Sequence, residues 1–460
     1  MQSKITFCGG AGMVTGANFL LESGDPSKAE TSTKFLVDCG LAQGMHSAEE
    51  VNWEPFIYEP SGIPLLIVTH AHIDHIGKIP KLVKDGFKGK IISTEPTRAM
   101  AEPLLLDSME LLAHDAKKHG RPELYSKEDI HKALSLWEGI PYHETHDIGG
   151  GFSFELLDAG HILGSAMVRV SRKDTTMVFT GDLGGGNSAL LGPHDKIGAP
   201  DYLLMESVYG NRTRPNDENH MDELMRVINE THEKGGTVLI PAFSTERTQD
   251  LIFEIRSLMA DKKIPSIPVY IDSPLAEKIT DAYLAYPQYF SKEIQARIAA
   301  GEKIFSFPEL HMVENGEESR ALAHKDGSKI IIAGSGMSNG GRVHAHEQEI
   351  LPQKNSTVVI VGYQAAGSLG RRLVEGDKNV YIMGERVKVN AKVEIIYGYS
   401  AHMDGAQLLD FVSEAGSSLK EVFVVMGEPA SSGFLAQRIR DYLNLKAIAP
   451  AAKDEAVIEL

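Results

Sequence analysis

Leu65-Leu66-Ile67-Val68-Thr69-His70-Ala71-His72-Ile73-Asp74-His75 is the stretch on which the reading of this chain turns. Leu65 to Thr69 is a nearly continuous apolar run of strand length, the pattern of a strand buried on both faces. His70, His72, Asp74 and His75 then follow within six positions, and an amphipathic stretch from Ile76 to Val83 comes next. Side chains on an extended segment alternate with period two, so His70 and His72 share one side of the strand end. Asp74 and His75 fall in the first turn of the helix, where they can face a second ion. Imidazole and carboxylate suit zinc, and the same donors accept iron or manganese.

Three other segments carry the same kind of residue at the same kind of place. Phe35-Leu36-Val37-Asp38-Cys39-Gly40 and Val178-Phe179-Thr180-Gly181-Asp182-Leu183 both run from a strand pattern into an aspartate, and Leu157-Asp158-Ala159-Gly160-His161-Ile162-Leu163-Gly164-Ser165 sets a histidine among glycines. Around them, strands are predicted at Ile5–Phe7, Asn18–Glu22, Lys34–Asp38, Phe152–Leu157, Met167–Val170, Met177–Thr180 and Tyr202–Met205, with helical spacing over Glu95–Lys118 and Lys127–Trp137. Beyond Glu206 the texture alternates. Helices are predicted at Met221–Lys234 and Arg247–Ala260, and strands at Thr237–Ile240, Val269–Ile271, Ile330–Ile332 and Thr357–Val361. Such alternation implies a parallel sheet covered on both faces, with ligands held by loops at the strand C-terminal ends. A last strand, Glu421–Val425, and helix, Ser432–Leu443, complete the pattern.

The chain has 460 residues, more than one hydrophobic core normally supports, so more than one domain is expected. No apolar run is long enough for a membrane span, and the opening segment lacks the features of a secretory signal. Cys8 and Cys39 offer no disulfide framework; both are read as small buried residues, and a cytoplasmic location fits. The formal charge of -17, from 46 basic and 63 acidic residues, runs against nonspecific nucleic-acid binding. A polyanion-binding protein of this composition needs a local basic cleft or bound cations.

In order, spacing and flanking residues, the four metal-type segments resemble the metallo-β-lactamase superfamily. The resemblance implies an αββα sandwich with two metal ions at one edge. His70, His72 and His161 would hold the first, Asp74 and His75 the second, and Asp182 would bridge them, with Asp38 supporting the ligands from behind. Further motifs narrow the family: Met205-Glu206-Ser207-Val208-Tyr209-Gly210-Asn211-Arg212, Pro241 to Gln249, Ala333-Gly334-Ser335-Gly336-Met337-Ser338-Asn339-Gly340-Gly341-Arg342, and Gly398-Tyr399-Ser400-Ala401-His402. These are similar to the β-CASP nucleases, which include the endonuclease of the cleavage and polyadenylation complex and its archaeal and bacterial relatives. The expected organisation is a metallo-β-lactamase domain in two parts, residues 1–207 and 396–460, interrupted by an α/β β-CASP domain at 208–395 with a mainly parallel sheet. No extra RNA-binding domain precedes the catalytic part, which points to the short bacterial type.

The resemblance implies a zinc-dependent ribonuclease that hydrolyses RNA phosphodiester bonds with a metal-activated hydroxide, endonucleolytic and with 5′ exonucleolytic attack as a companion activity. His402 would be general acid to the departing oxygen and Glu206 its partner. The glycine loop around Ser335, Gly336, Gly340 and Gly341 is suited to phosphate, because glycines admit close approach and successive N–H groups form an anion-binding concavity. Arg247 and Arg342, with Arg371 and Arg372, are candidates for the missing positive charge. Self-association into a homodimer is compatible with the family.

In one place the chain departs from the pattern. Where the RNA-cutting relatives carry a histidine in Val-His-Gly-Glu, this chain reads Val425-Met426-Gly427-Glu428. Thioether sulfur is a poor ligand for a borderline or hard ion, so weak occupancy of the second site is expected. The same departure leaves two alternatives standing: a DNA nuclease of this family, or a nucleic-acid-binding protein with weakened catalysis. Two other clusters, His344-Ala345-His346-Glu347 and His143 to Asp147, lack the continuation that a metal site of this kind needs.

Overall fold

The computed structural model describes residues 2–24, 32–44, 50–213, 220–362, 364 and 367–460. The chain divides into two compact units, one made of Met1–Gly186, Pro193–Thr213 and Ala401–Leu460, the other of Asn187–Gly192 and Arg214–Ser400.

The first unit contains two seven-stranded sheets. One runs, in spatial order, Glu455–Ile458, Ser3–Gly9, Asn18–Ser23, Thr33–Val37, Leu65–Ile67, Lys90–Thr94 and Trp137–Ile140. The other runs Ala447–Ile448, Glu421–Val424, Tyr202–Met205, Thr175–Phe179, Ala166–Arg172, Phe152–Asp158 and His146–Gly149. Each is parallel over one half, where the Asp38, His70 and Asp182 motifs lie, and antiparallel over the rest, where His161 follows Phe152–Asp158.

Strand alternation explains the layering. In Tyr202-Leu203-Leu204-Met205, Tyr202 and Leu204 enter the core between the sheets with Phe7, Phe19, Phe35 and Phe423. Leu203 and Met205 point the other way, into a second core with Leu408, Phe411, Leu435 and Ile439 of the helices Gly405–Glu414 and Pro429–Leu443. The opposite outer face carries the helices Ile79–Lys84, Glu95–His119 and Lys127–Ser135. This is the expected αββα sandwich.

In the second unit the sheet Leu310–Met312, Val269–Asp272, Lys329–Ala333, Thr237–Pro241, Thr357–Ile360, Lys392–Ile395 is parallel throughout. Ile331 joins a core with Leu239, Val343, Val358 and Leu373, while Ile330 and Ile332 are equally buried on the other face. A sheet covered on both sides reads as a continuous apolar run, as this one does.

Some boundaries differ from expectation. Trp137, read as the end of a helix, starts an edge strand once the Ser126–Asp129 capping box has fixed where the helix begins and Leu136 has closed it. The strand ahead of His70 stops at Ile67: the Val68 N–H still donates to the Ile92 carbonyl, but the Thr69 N–H is taken by the Asp38 carboxylate. The C-terminal segment holds two further short strands. Glu455–Ile458 pairs antiparallel with Ser3–Gly9 and covers what would be an open sheet edge. Among the described residues no helix is long and apolar enough to cross a membrane.

Candidate metal centre

The motif residues follow the C-terminal ends of five strands of the first unit. Asp38 follows Thr33–Val37, His70 follows Leu65–Ile67, Asp182 follows Thr175–Phe179, Glu206 follows Tyr202–Met205 and Met426 follows Glu421–Val424. Parallel pairing brings these ends to one place. Close backbone approach keeps them there: a Cβ on Gly40 would stand 1.6 Å from the Asp74 carbonyl oxygen, and one on Gly184 would stand 1.8 Å from that of Gly160. Only glycine fits at either position.

Asp38 organises the centre from behind. Its carboxylate accepts from the Thr69 N–H and the Thr69 hydroxyl, each at 2.8 Å, and from His75 Nδ1 at 2.8 Å. That contact orients the His75 ring and turns Nε2 toward Asp182. Thr69 Oγ1 also lies 3.1 Å from His70 Nδ1, leaving His70 Nε2 to face the cluster. Reading the sequence for ligands missed Thr69. Its signal is positional, a hydroxyl immediately ahead of the first histidine.

Four donors converge. His70 Nε2 is 3.1 Å from His72 Nδ1 and 3.5 Å from Asp182 Oδ2; His161 Nε2 is 3.2 Å from His72 Nδ1 and 3.6 Å from Asp182 Oδ2. Ligands about 2.0–2.1 Å from a tetrahedral zinc stand roughly 3.3 Å apart, so these edges suit that ion. One imidazole nitrogen of His72 cannot satisfy two others with a single proton, whereas a cation satisfies all of them. Burial, then the neighbouring charge of His70 for His72 and of His402 for His161, holds both imidazoles well below their usual range. They are therefore neutral, the form that ligates.

The second set is looser. His75 Nε2 lies 3.4 Å from Asp182 Oδ1, and both atoms are buried without a hydrogen-bond partner, as expected of groups that await a cation. Burial pushes the Asp182 carboxyl up, but His75 and His70 more than offset it and hold it ionised; burial lowers His75, and Asp182 and Asp38 outweigh that and keep it protonated in the absence of metal. Asp74 stands 3.9 Å from His75 and does not join the four-donor group. Burial raises its carboxyl, against the charge of His75.

Met426 supplies no further donor here. Its side chain is 2% exposed and packs in the core between the sheets with Phe19 and Phe423. The sulfur lies 2.5 Å from where a Cβ on Gly10 would stand, so the thioether rests on bare backbone. A small cavity of about 10 Å³ is lined by Met426 together with His75, Asp38 and Glu206.

His402 and Glu206 complete the site. His402 Nδ1 lies 3.1 and 3.2 Å from the two Glu206 oxygens, while Glu206 Oε1 also accepts from the Leu183 N–H at 2.6 Å. The His402 and His161 rings are 4.8 Å apart, and Asp182, Glu206 and His402 form a second convergent group. A backbone bridge from Gly184 to His402 and the Asp404–Gln407 capping box hold this segment in place.

In the second unit, Ser335 to Gly341 links the strand Lys329–Ala333 to the helix Arg342–Ile350. A Cβ on Gly336 would stand 2.7 Å from the Phe243 ring, and Gly341 takes φ 75° ahead of the helix. Ser335 Oγ accepts from the Asn339 N–H at 3.0 Å. The four arginines read as sources of positive charge each have a carboxylate nearby. Arg342 reaches back to Asp272 at 2.6 Å and to the Val313 carbonyl, Arg247 is buried against Glu246 at 3.5 Å, and Arg371 and Arg372 pair with Glu375 and Asp377. Each lies within reach of a carboxylate, because this acidic chain surrounds its cations with acids. His346 also bonds to Asp272, and His143 and His146 stand near Asp195 and Glu144; among the described residues none of these three belongs to a convergent metal-binding group.

Two facing sheets with a His/Asp cluster beyond their strand ends define a metal-dependent hydrolase scaffold of the metallo-β-lactamase type. The chain matches the metallo-beta-lactamase superfamily over residues 29–222, the Beta-Casp domain over 248–373, and the Zn-dependent metallo-hydrolase RNA specificity domain over 386–450. It is 33% identical to a ribonuclease of Thermus thermophilus, TTHA0252, covering 89% of this chain and 90% of that one. Transcription termination factor FttA of Methanocaldococcus jannaschii is 30% identical, over 98% of this chain and 71% of its own. A crystal structure of a protein of unknown function from Enterococcus faecalis shares the fold, with a TM-score of 0.55 at 12% identity and 100% coverage of both chains. The chain belongs to the β-CASP family of the metallo-β-lactamase superfamily.

Proposed function

We propose that this protein is a zinc-dependent ribonuclease that hydrolyses RNA phosphodiester bonds, with internal cleavage as its main mode and 5′ exonucleolytic attack as a second. The observation that carries this reading is the Glu206–His402 pair beside His161. A metal cluster alone serves many hydrolases, whereas a buried carboxylate holding an imidazole next to it equips the site to protonate a leaving alkoxide. The relatives named as a ribonuclease and as a transcription termination factor, and the match to an RNA specificity domain, support RNA as the substrate.

Divalent ions held at such a site supply an acidified water and charge neutralisation at phosphorus. His70, His72, His161 and Asp182 would hold the first ion, and Asp74, His75 and Asp182 the second. The remaining work falls to other side chains. Asp38 and Thr69 lock the ligand rings. Glu206 fixes Nδ1 of His402 and so aims Nε2 as proton donor to the departing 3′-oxygen. The N–H groups of the Ser335–Gly341 loop would hold a backbone phosphate. The seating of Met426 in the core favours a second reading in one respect, a second ion held weakly. A reducing cytoplasm suits the two free cysteines, and a homodimer is the proposed assembly, to be checked by sedimentation.

The test is cleavage of end-labelled RNA beside a matched DNA strand, with and without chelator. RNA cut to internal fragments only when metal is present supports the proposal. Preference for the DNA strand, or binding without turnover, overturns it. His402→Ala should lower the rate by about 10²–10⁴-fold at unchanged metal content. An unchanged rate removes His402 from the role of acid.

A further inference from the structure

One buried group in the second unit has no part in the chemistry above. Glu347, on the helix Arg342–Ile350, is 0% exposed, and neither carboxylate oxygen has a partner of good hydrogen-bond geometry. Ser338, in the middle of the glycine loop, is also 0% exposed, and its hydroxyl is likewise unsatisfied. The two are neighbours: the Ser338 carbonyl lies 2.7 Å from Nε2 of His344, which stands one helical turn before Glu347 on the same helix.

The rest of Ser338 is already committed. Its N–H donates to the Ser335 carbonyl at 3.1 Å, its own carbonyl lies 2.7 Å from His344 Nε2, and its backbone takes φ 54°, a left-handed conformation that costs a serine energy. A strained, buried residue is thus clamped at both backbone groups, with its hydroxyl turned toward an acid in the helix below. A leucine at 347 would pack with none of this cost, because an unpaired buried acid is expensive.

Resting on the ribonuclease reading, we propose that Glu347 is a positioning residue that braces the Ser335–Gly341 loop from beneath through Ser338 and so sets the affinity of the loop for RNA phosphate. Burial, partly offset by Ser338, pushes the Glu347 carboxyl up to about 8. Below that pH the acid is neutral and can donate to or accept from the hydroxyl; above it a carboxylate without a counter-ion lies under the loop that must receive an anion. Among the described residues no charged group acts on it. On its own helix Arg342 and His346 are taken by Asp272, and His344 faces Ser338. Of the elements packed against that helix, Gly316–Leu322 carries Glu317, Glu318 and Arg320 outside its buried face, Asn379–Ile382 carries the exposed Tyr381, and Thr237–Pro241 carries no ionisable side chain.

The experiment measures RNA affinity of the metal-free full chain by fluorescence anisotropy from pH 6.5 to 9 at constant ionic strength, for wild type, Glu347→Gln and Glu347→Leu. Melting curves confirm that each is folded. Wild type should weaken several-fold more than the Gln variant across the upper part of the range. Gln should bind as wild type does at pH 6.5 and show no step of its own. Leu should bind more weakly at every pH, and in the metal-loaded enzyme raise KM with little change in kcat. Identical profiles for all three proteins overturn the brace while leaving the ribonuclease reading intact. A step that disappears when potassium is replaced by a bulky organic cation points to an ion beneath the loop and also overturns it. If wild type neither binds nor cuts RNA at any pH, the ribonuclease reading itself has failed.

Discussion

Met426→His asks whether this chain has given up a ligand or never needed one. In the absence of metal the substitution should destabilise. It removes a thioether that is 2% exposed within the sheet-to-sheet core and puts an imidazole against Phe19 and the Gly10 backbone, at a cost of about 2 kcal/mol. With metal the balance shifts. The second set offers His75 Nε2 and Asp182 Oδ1 at 3.4 Å, with Asp74 3.9 Å from His75, and a fourth donor would close it. Groups that merely orient a ligand change affinity by roughly 10–100-fold, so a new ligand should reach at least the upper figure. An ion present at about 100 times its dissociation constant stabilises the fold by about 2.7 kcal/mol, enough to cancel the apo penalty. The melting temperature of the variant should therefore be below wild type in chelator and rise by roughly 3–5 °C on adding zinc, beyond the rise of wild type. Metal analysis after dialysis should find about one ion per wild-type chain and about two per variant chain. Two tightly held ions in wild type would refute the reasoning, because the site would then be complete without a histidine. A variant that gains no metal and no zinc-dependent stability would refute it from the other side.

Asp38→Asn should lower metal affinity by about 10–100-fold with the fold retained, since asparagine tolerates the φ of 59° at this position but cannot accept from both Thr69 and His75; metal titration with a competing chelator checks this. Gly40→Ala forces the Asp74 carbonyl aside, and should reduce bound metal at modest cost to secondary structure, read by circular dichroism beside metal analysis. Glu347 also gives a stability prediction with a definite sign. Its carboxyl is raised from 4.5 to about 8 in the folded state, so its stabilising share is whole below pH 4.5 and is lost as pH rises through 8. Glu347→Gln should then be the more stable protein at pH 9, at roughly 1.4 kcal/mol for each factor of ten between folded and unfolded proton affinity, before relaxation reduces it. Denaturant melts that show no such crossover contradict it.

How much of this was legible beforehand depends on whether neighbours in sequence are neighbours in space. The His70–His75 segment could be read because a strand end and a helical turn carry their own geometry, and two-residue alternation already places His70 and His72 side by side. The helix Arg247–Ala260 was placed to the residue by its spacing. Trp137 was not, because one residue past a capped helix can as well open a strand. The short strand Glu455–Ile458 has no pattern of its own and exists through its partner Ser3–Gly9.

The order of residues by itself determined the fold class, the identity of the metal-type side chains and the oddity of Met426, since each rests on local periodicity or on residue chemistry. Tertiary structure alone decided the spacing of His161 and Asp182 around His72, the grip of Asp38 on Thr69 and His75, and the seat of Met426 in the core. It also placed carboxylates beside Arg247 and Arg342, and set Ser338 against the helix that carries Glu347. The physical reason is common to all of these. Burial and pairing are properties of a packed interior, in which residues far apart in the chain compete for the same few hydrogen bonds, and no local pattern records who wins.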